Sequence, residues 1–448
     1  MRKIFALFLM FFGLLLSARA QDSFPPGPYD LRTAVDIAIQ NNLTLKRSEL
    51  NQQIIEADLL QNKGQRYPSL SAGSSYGVRW GRSINPVTNL FETNRIGNAN
   101  FSASSNAPIF QGMRITNSIA QAKTDLEAGY YNLEATKNDI TLTVINNFIN
   151  VVFNREQVKI AENQLGTTTE QMTRTKKLVD AGSLPMSDYL DLQSQNATSQ
   201  LEVINAQNSY RNAKLTLAQS MQIPFTEDFA VIEPEFEMEE GLMASETSEE
   251  IYQAAVEIMP EIKAAEANVL SAEYQEKIAK GAFYPTLGVG ANVFTNYVDQ
   301  VYRMDRPAFG QQFEDNLSQQ LNVQLNIPIF TNFNNRSNLQ RARAQKAIQQ
   351  VAELEAKNLL RQDIETAYNS ALAADLSYKA SVIRVKSLEE TFRIAQQRFD
   401  LGAINSVDFQ VAQNNLFNAQ ADLLNAKYTY IFRVKVLDFY LGNPINLN

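Results

Sequence analysis

The sequence predicts a mainly α-helical protein with a transmembrane β part, arranged as a tandem repeat of helix, strand, strand, long helix and helix. Three observations carry that expectation. Residues 67–110 and 284–330 each hold two runs in which apolar residues alternate with small or polar ones, the pattern of a strand with one oily and one wet face. Each pair of runs is followed by a long proline-free stretch, 112–181 and 336–401, in which apolar residues recur at threes and fours. The second half also restates the first: Gly64, Tyr67, Pro68, Leu70 and Gly73 return 217 residues later as Gly281, Tyr284, Pro285, Leu287 and Gly290, and Asn106, Pro108, Ile109 and Phe110 return 220 residues later as Asn326, Pro328, Ile329 and Phe330.

Composition narrows the chemistry. The 448 residues contain no cysteine and no histidine, which excludes thiol and imidazole nucleophiles, zinc sites of the usual ligands, histidine general bases, disulfides and a lipidated N-terminal cysteine. Residues 1–20 read as a signal peptide: Arg2 and Lys3, an apolar run from Ile4 to Leu16, and Ala18-Arg19-Ala20 as a small-residue cleavage site. Its removal takes away three positive charges and no negative ones, moving the formal net charge from −8 to −11. No basic patch collects in so acidic a chain, so a nucleic-acid partner is not expected. Beyond the signal peptide no run is apolar over the eighteen or so residues that a membrane-crossing helix needs; if the chain crosses a membrane, it does so with strands.

The first repeat spans 21–226. A helix is expected from about Asp30 to Gly64, with Leu31, Val35, Ala38, Leu45, Ile54 and Leu59 as its apolar positions. The hairpin follows: Leu70, Ala72, Tyr76, Val78 and Trp80 alternate in one strand, Ala99, Phe101, Ala103, Ala107 and Ile109 in the next, with a loop near Ser83–Arg95. The long helix 112–181, at 1.5 Å per residue, extends roughly 105 Å. Its apolar stripe is narrow, as in a coiled coil or a thin wall wetted on both sides. Gly182 ends it, Pro185 opens a helix running to about Met221, and Pro224 closes the repeat. Residues 227–246 form an acidic linker expected to lie at the surface with one short strand.

In the second repeat, 247–448, a helix from about Glu250 to Gly281 leads into strands built on Leu287, Val289, Ala291, Val293 and Tyr297, and on Leu321, Val323, Leu325 and Ile327. The long helix then ends at Gly402, and a last helix runs from about Asn405 to Leu441. The shorter helices of each repeat together match its long one in length, so the long helix is expected to run away from the strands, turn at glycine and return halfway, with the first helix covering the other half. Four strands cannot close a barrel, and an open edge in lipid leaves backbone groups unpaired at several kcal/mol each. Chains must therefore assemble. Eight strands would be filled by their own side chains; the Ser, Gly and Asn on the wet face favour an open lumen and at least three chains.

These features together resemble the TolC-like outer-membrane efflux protein family. The resemblance rests on the duplication, the Tyr-Pro-x-Leu entries at Tyr67 and Tyr284, the Pro-Ile-Phe exits at Pro108 and Pro328, and the turn at Arg398–Phe409, RFDLGAINSVDF, which looks like the family's Arg-aromatic-acid-x-Gly turn with an Asp six residues after the glycine. The first turn, LVDAGSLPMSDY from Leu178 to Tyr189, departs by carrying Leu178 in place of the Arg, and the first helix reads Asn41-Asn42-Leu43 where members often show Asn-Pro. The resemblance implies a homotrimer whose twelve strands form an outer-membrane barrel continuous with a periplasmic α-helical barrel. It implies a passive exit channel of a tripartite efflux pump or type I secretion system, gated at its periplasmic tip. Its partners would be outer-membrane lipid, a periplasmic adaptor (membrane fusion) protein and, through it, an inner-membrane transporter of the RND or ABC type. No cofactor, metal or catalytic residue is expected. The alternative is a soluble periplasmic coiled-coil adaptor or scaffold.

Candidate functional residues follow. Gly182, Ser183 and Leu184, with Gly402, Ala403 and Ile404, are the tip turns that would face the adaptor; the glycines equally serve as ordinary helix caps. Asp188, Asp191 and Asp408 lie just beyond them. In one reading they favour helix N-termini, with Asn405 and Asp408 spaced as a capping box; in the other, repeated in three subunits, they ring a narrow entrance and attract cations. Asp188 and Asp191 could also be taken as a catalytic or metal pair, but no third ligand type accompanies them. Arg398 is either a cation satisfying the last helical turn or a gate-locking partner. Trp80 and Tyr297 are candidate membrane-interface aromatics.

Overall fold

A computed structural model describes residues 27–84, 90–232, 247–300 and 307–443. The expected signal peptide, most of the acidic linker and Pro444 lie outside the described residues. The chain divides into two units. One, the sheet unit, holds Thr44–Thr136 and Tyr252–Ile364; the other, the helical unit, holds the chain up to Leu43, Lys137–Ile251 and the chain from Glu365.

In the sheet unit, β1 (Ser69–Ile84), β2 (Phe91–Gln111), β3 (Thr286–Gln300) and β4 (Ser318–Asn326) form one antiparallel sheet in the order β1-β2-β3-β4. Register fixes what each face carries. Tyr76, Ala99 and Tyr297 stand opposite one another, as do Ala72, Ala103 and Val293, while Ser75, Asn100 and Asn296 fall on the reverse side. Leu321, Val323 and Leu325 extend the apolar face through their partners Ala291, Val289 and Leu287. On the polar face the Ser71 and Ser104 hydroxyls lie 2.9 Å apart. The apolar face is largely uncovered: Leu70, Trp80, Leu321, Val323 and Leu325 are exposed. Each such side chain left in water forfeits about 1.5–3 kcal/mol relative to an apolar surrounding.

Three expectations are corrected here. The strands run beyond the predicted loop at Ser83–Arg95, since β1 continues to Ile84 and pairs it with Phe91. Cross-strand pairing overrides the polar sequence there. In the second hairpin the strand ends at Asn326, before Ile327. The connection before β4 holds a short helix, α7 (Phe309–Asp315), that strand periodicity did not anticipate.

The expected first helix is two. α1 (Leu31–Asn41) and α2 (Leu43–Gly64) break at Asn42, whose ψ of 120° is extended although its N–H still bonds Ala38 O at 2.9 Å. The second copy breaks at the equivalent place, between α5 (Ser248–Ile258) and α6 (Pro260–Gly281), with Met259 at ψ 126°. There the cause is plain, because a residue before proline is driven out of the α region. At Asn42 a poor helix former with a competing side chain does the same. Ile54, one of the predicted apolar positions of α2, is exposed, whereas Leu45 and Leu59 are buried.

The long helices are as expected: α3 (Arg114–Asp180) and α8 (Asn334–Asp400) each have 67 residues. Each is entered through two left-handed residues, Gly112 and Met113 (φ 60° and 64°) or Asn332 and Phe333 (φ 50° and 62°). Glycine is required at 112, because a Cβ there would collide with the Gly281 carbonyl. Within the sheet unit, α2 packs on α3 through Leu59, Ile119 and Ala122, and the Gln52 amide donates to Leu126 O at 3.2 Å. α6 is tied to α3 by a Ser271 hydroxyl donating to Asp125 at 2.5 Å, and to α8 by Lys346–Glu273 and Lys357–Glu266 ion pairs at 2.8 and 3.1 Å.

The helical unit contains α1, the later part of α3, α4 (Met186–Ser220), the later part of α8 and α9 (Ser406–Tyr440). Its buried apolar residues include Val144, Ile145, Phe148, Val151, Leu217, Met221 and Leu437. The short strand expected of the linker is one parallel bridge between Tyr29 and Val231, with Tyr29 N–H donating to Ala230 O at 3.0 Å. No described helix is long and apolar enough to cross a membrane.

Candidate functional site

Both long helices end at the expected glycines. Gly182 and Gly402 have φ of 73° and 71°, the left-handed conformation that a side chain resists. Gly182 N–H bonds Val179 O at 2.9 Å and Ser183 N–H bonds Leu178 O at 2.8 Å; Gly402 and Ala403 repeat this on Phe399 O and Arg398 O at 2.9 and 2.8 Å. This double bond pattern is the Schellman closure of a helix end. Ser183 and Ala403 are exposed; Leu184 and Ile404 are half-buried.

Beyond the second turn the Asn405 side chain accepts the Asp408 N–H at 2.8 Å and caps α9, which is one half of the expected capping box. The first turn uses Pro185 at the same place, with no side-chain cap. Asp191 and Asp408 are exposed and Asp188 is half-buried. Among the described residues, no group of three acids could hold a metal ion. Behind the second turn Phe409 is fully buried against Ala395 and Ala412, its ring stacked on Phe399 at 4.9 Å and beside Phe392 at 5.6 Å, with Ile404 packed on the same cluster.

Arg398 is exposed in the last turn of α8, and its carbonyl serves the turn. The ion pair that joins the two long helices here is between Arg174 of α3 and Asp400 of α8, at 2.8 Å. It continues into a row of polar contacts: Gln396 donates to Asp400 at 3.1 Å and Gln171 donates to Gln396 at 2.8 Å. Sequence reasoning missed Arg174 and Gln171. The only signal for the pair was Asp400, the acid of the Arg-aromatic-acid-x-Gly turn. The interior near these turns is polar as well: Thr168, Gln171, Thr175, Asn196, Ser199 and Gln413 are buried, and both polar atoms of the Gln413 amide lack a partner among the described residues.

The two candidate interface aromatics differ from each other. Trp80 is 72% exposed on the apolar face of β1, whereas Tyr297 stands against Phe309 of α7 with ring centroids 5.2 Å apart.

An amphipathic four-stranded sheet, two long helices of equal length and two glycine turns define a duplicated, mainly helical subunit of the channel class. The chain belongs to the outer membrane efflux protein family, whose sequence model matches residues 34–221 and 251–443. Among curated relatives it is 21% identical over 397 residues to the outer membrane efflux protein BepC of Brucella suis, covering 88% of this chain and 81% of that one. It is 23% identical over 422 residues to the cobalt-zinc-cadmium resistance protein CzcC of Cupriavidus metallidurans, covering 93% and 90%. Among solved structures, the CmeC outer membrane channel of Campylobacter jejuni superposes with a TM-score of 0.79 at 17% identity, over 92% of this chain and 85% of that one. The open-state MtrE channel of Neisseria gonorrhoeae gives 0.75 at 21%, over 94% and 90%. The protein is an outer-membrane exit channel for efflux or secretion. The family is one of channels, not enzymes, and the soluble adaptor alternative is not favoured.

Proposed function

We propose that three copies assemble into a passive conduit, with a twelve-stranded β-barrel in the outer membrane and an α-helical barrel in the periplasm. Residues 1–20 direct its export and are removed. The observation that carries this reading is the sheet itself: four strands, one apolar face and a free border at β1 and at β4. Unpaired strand borders are not stable in hydrocarbon, and joining each β4 to the next β1 pairs them along the length of β4. Residues Gly182–Leu184 and Gly402–Ile404 form the surface that meets a periplasmic adaptor, which links the channel to an inner-membrane transporter. Other relatives are named for pyoverdine export and alkaline protease secretion; ducts serving such unlike cargo support selection upstream of the duct.

The gate is at the tip. Buried polar side chains without full hydrogen bonding cost about 1–3 kcal/mol each, so helix packing around Gln413, Thr175 and Ser199 is weaker than around Phe148 and Leu437 and is the packing that gives way. Asp188, Asp191 and Asp408, repeated three times, line the entrance and favour cations. In planar bilayers the purified protein is expected to give discrete conductance steps that favour cations over anions. Replacing all three aspartates by asparagine lowers that preference; an unchanged reversal potential removes the ring. Absence of any conductance from correctly inserted protein removes the conduit.

A further inference from the structure

The two borders of the sheet do not match. β4 has 9 residues, whereas β1, the strand it would meet in a closed barrel, has 16. Even a β4 paired along its whole length therefore leaves at least seven residues of β1 without a strand beside them. β3 shows the same shortfall within the chain: β4 pairs with it from Thr286 to Phe294, and among the described residues the following ones pair with β2 alone.

The helix α7 occupies the place where β4 is missing. Its Gln312 side chain accepts the Val298 N–H at 3.1 Å and donates to the Val298 carbonyl at 3.3 Å, while the Asn316 amide just after it donates to Asn296 O at 2.8 Å. Two side-chain amides thus satisfy the backbone groups that a neighbouring strand would have taken. The helix is pinned by a fourth bond, from the Thr295 hydroxyl to Phe313 O at 2.8 Å. Its two rings lie on the apolar face of the sheet, Phe309 and Phe313 at 6.2 and 5.7 Å from Phe101. Beneath them Thr295 is buried, yet Phe309 itself remains 50% exposed. On the opposite border, and on the same face, β1 presents Tyr76 and Trp80, both well exposed.

We propose that α7 forms the upper seam between copies of this chain: in place of the absent part of β4 it seats against the upper part of β1 of the next copy, packing Phe309 and Phe313 on that copy's Tyr76 and Trp80. This rests on the trimeric reading above. Direction supports the fit. Closing the sheet requires β4 to run antiparallel to the next β1, which puts Ser318, the first residue of β4, towards the Ile84 end of that strand. The stretch of β1 that β4 fails to reach is then the one level with α7. Aromatic pairs across such a contact contribute beyond their buried area, and the amides that cap β3 hold the helix in position to make them.

The chain has no cysteine, so the contact can be tested with introduced pairs, linked by a short bismaleimide in the full-length protein in outer membranes. An upper pair joins Trp80→Cys with Phe309→Cys, and a second upper pair, Tyr76→Cys with Phe313→Cys, guards against loss of folding in the first. A lower pair, Leu70→Cys with Leu325→Cys, reports the β4–β1 seam alone. Covalent trimers from both the upper and lower pairs, and none from the single variants, are expected. Linking in the lower pair without either upper pair overturns the role of α7 and leaves the trimer standing; linking in none of them overturns the closed barrel as well. Replacing Gln312 and Asn316 by alanine should reduce upper-pair linking several-fold with lower-pair linking unchanged, and equal loss in both would show that α7 has no separate seam.

Discussion

Arg174 and Arg398 divide a role that the sequence offered to only one of them. Arg398 occupies the motif position, yet its side chain is exposed and the α3–α8 ion pair belongs to Arg174 and Asp400. Such a partly exposed pair contributes about 1 kcal/mol at most, and that much moves a two-state equilibrium about fivefold. Arg174→Ala is therefore expected to raise the open fraction of the channel in planar-bilayer recordings several-fold, while Arg398→Ala leaves it near the parent value; the reverse ranking would return the lock to Arg398. Gly182, Gly402 and Asn405 were legible because their reasons are local: a left-handed turn and a cap each involve residues fewer than six apart. Arg174 was not, because its partner lies on the other repeat. The same applies to Gly64 and Gly281, identical in the motif. Nothing crowds Gly64, but a Cβ on Gly281 would meet the Gly112 carbonyl.

At the scale of elements, the duplication was legible and its irregularities were not. Both long helices and both post-turn helices are where period and repeat put them, and the four strands form where alternation put them but with shifted ends at Ile84, Phe91 and Asn326. The breaks at Asn42 and Met259, 217 residues apart, keep the repeat but interrupt helices whose apolar pattern gave no sign of stopping. α7 was invisible for a different reason: Phe309 and Phe313, four apart in a polar segment, gain their meaning only from Phe101 and Tyr297 beneath. The junction of α2, α3 and α6 yields a pH prediction. Burial holds the Asp125 carboxyl above the usual aspartate range, the Ser271 hydroxyl pulls it the other way, and Asp58 adds a smaller upward push. A carboxyl whose folded value exceeds its unfolded one favours the folded state most at low pH, and that contribution is lost as pH rises through the interval from the unfolded to the folded value. Asp125→Asn removes this loss. Its thermal midpoint, relative to the parent, should climb as pH rises above about 4 and then level off; a constant difference across pH 3–7 would count against a buried carboxyl.

At the scale of the molecule, one chain is an incomplete object. Among the described residues its sheet ends on two unpaired borders, and α7 covers part of its apolar face. The mature protein extracted in detergent is expected to have the mass of three chains by light scattering, with the detergent contribution subtracted. A monomer that stays in solution without detergent would contradict the barrel. The resemblance visible in the tip and strand motifs extends over nearly all of the described chain, and structures less than 25% identical share the fold.

The sequence by itself determined the duplication, the alternating strands, the glycine turns and the length of the long helices, because each is written in periods and in short motifs that act on neighbouring residues. Tertiary structure alone decided which arginine meets Asp400, which motif glycine is sterically required, and that a helix stands where part of a strand is missing. The first two depend on how surfaces about 170 to 230 residues apart in the chain dock, and the third on side chains 14 to 20 residues away from the strand backbone they cap; a residue's period says which way it faces but not what it meets.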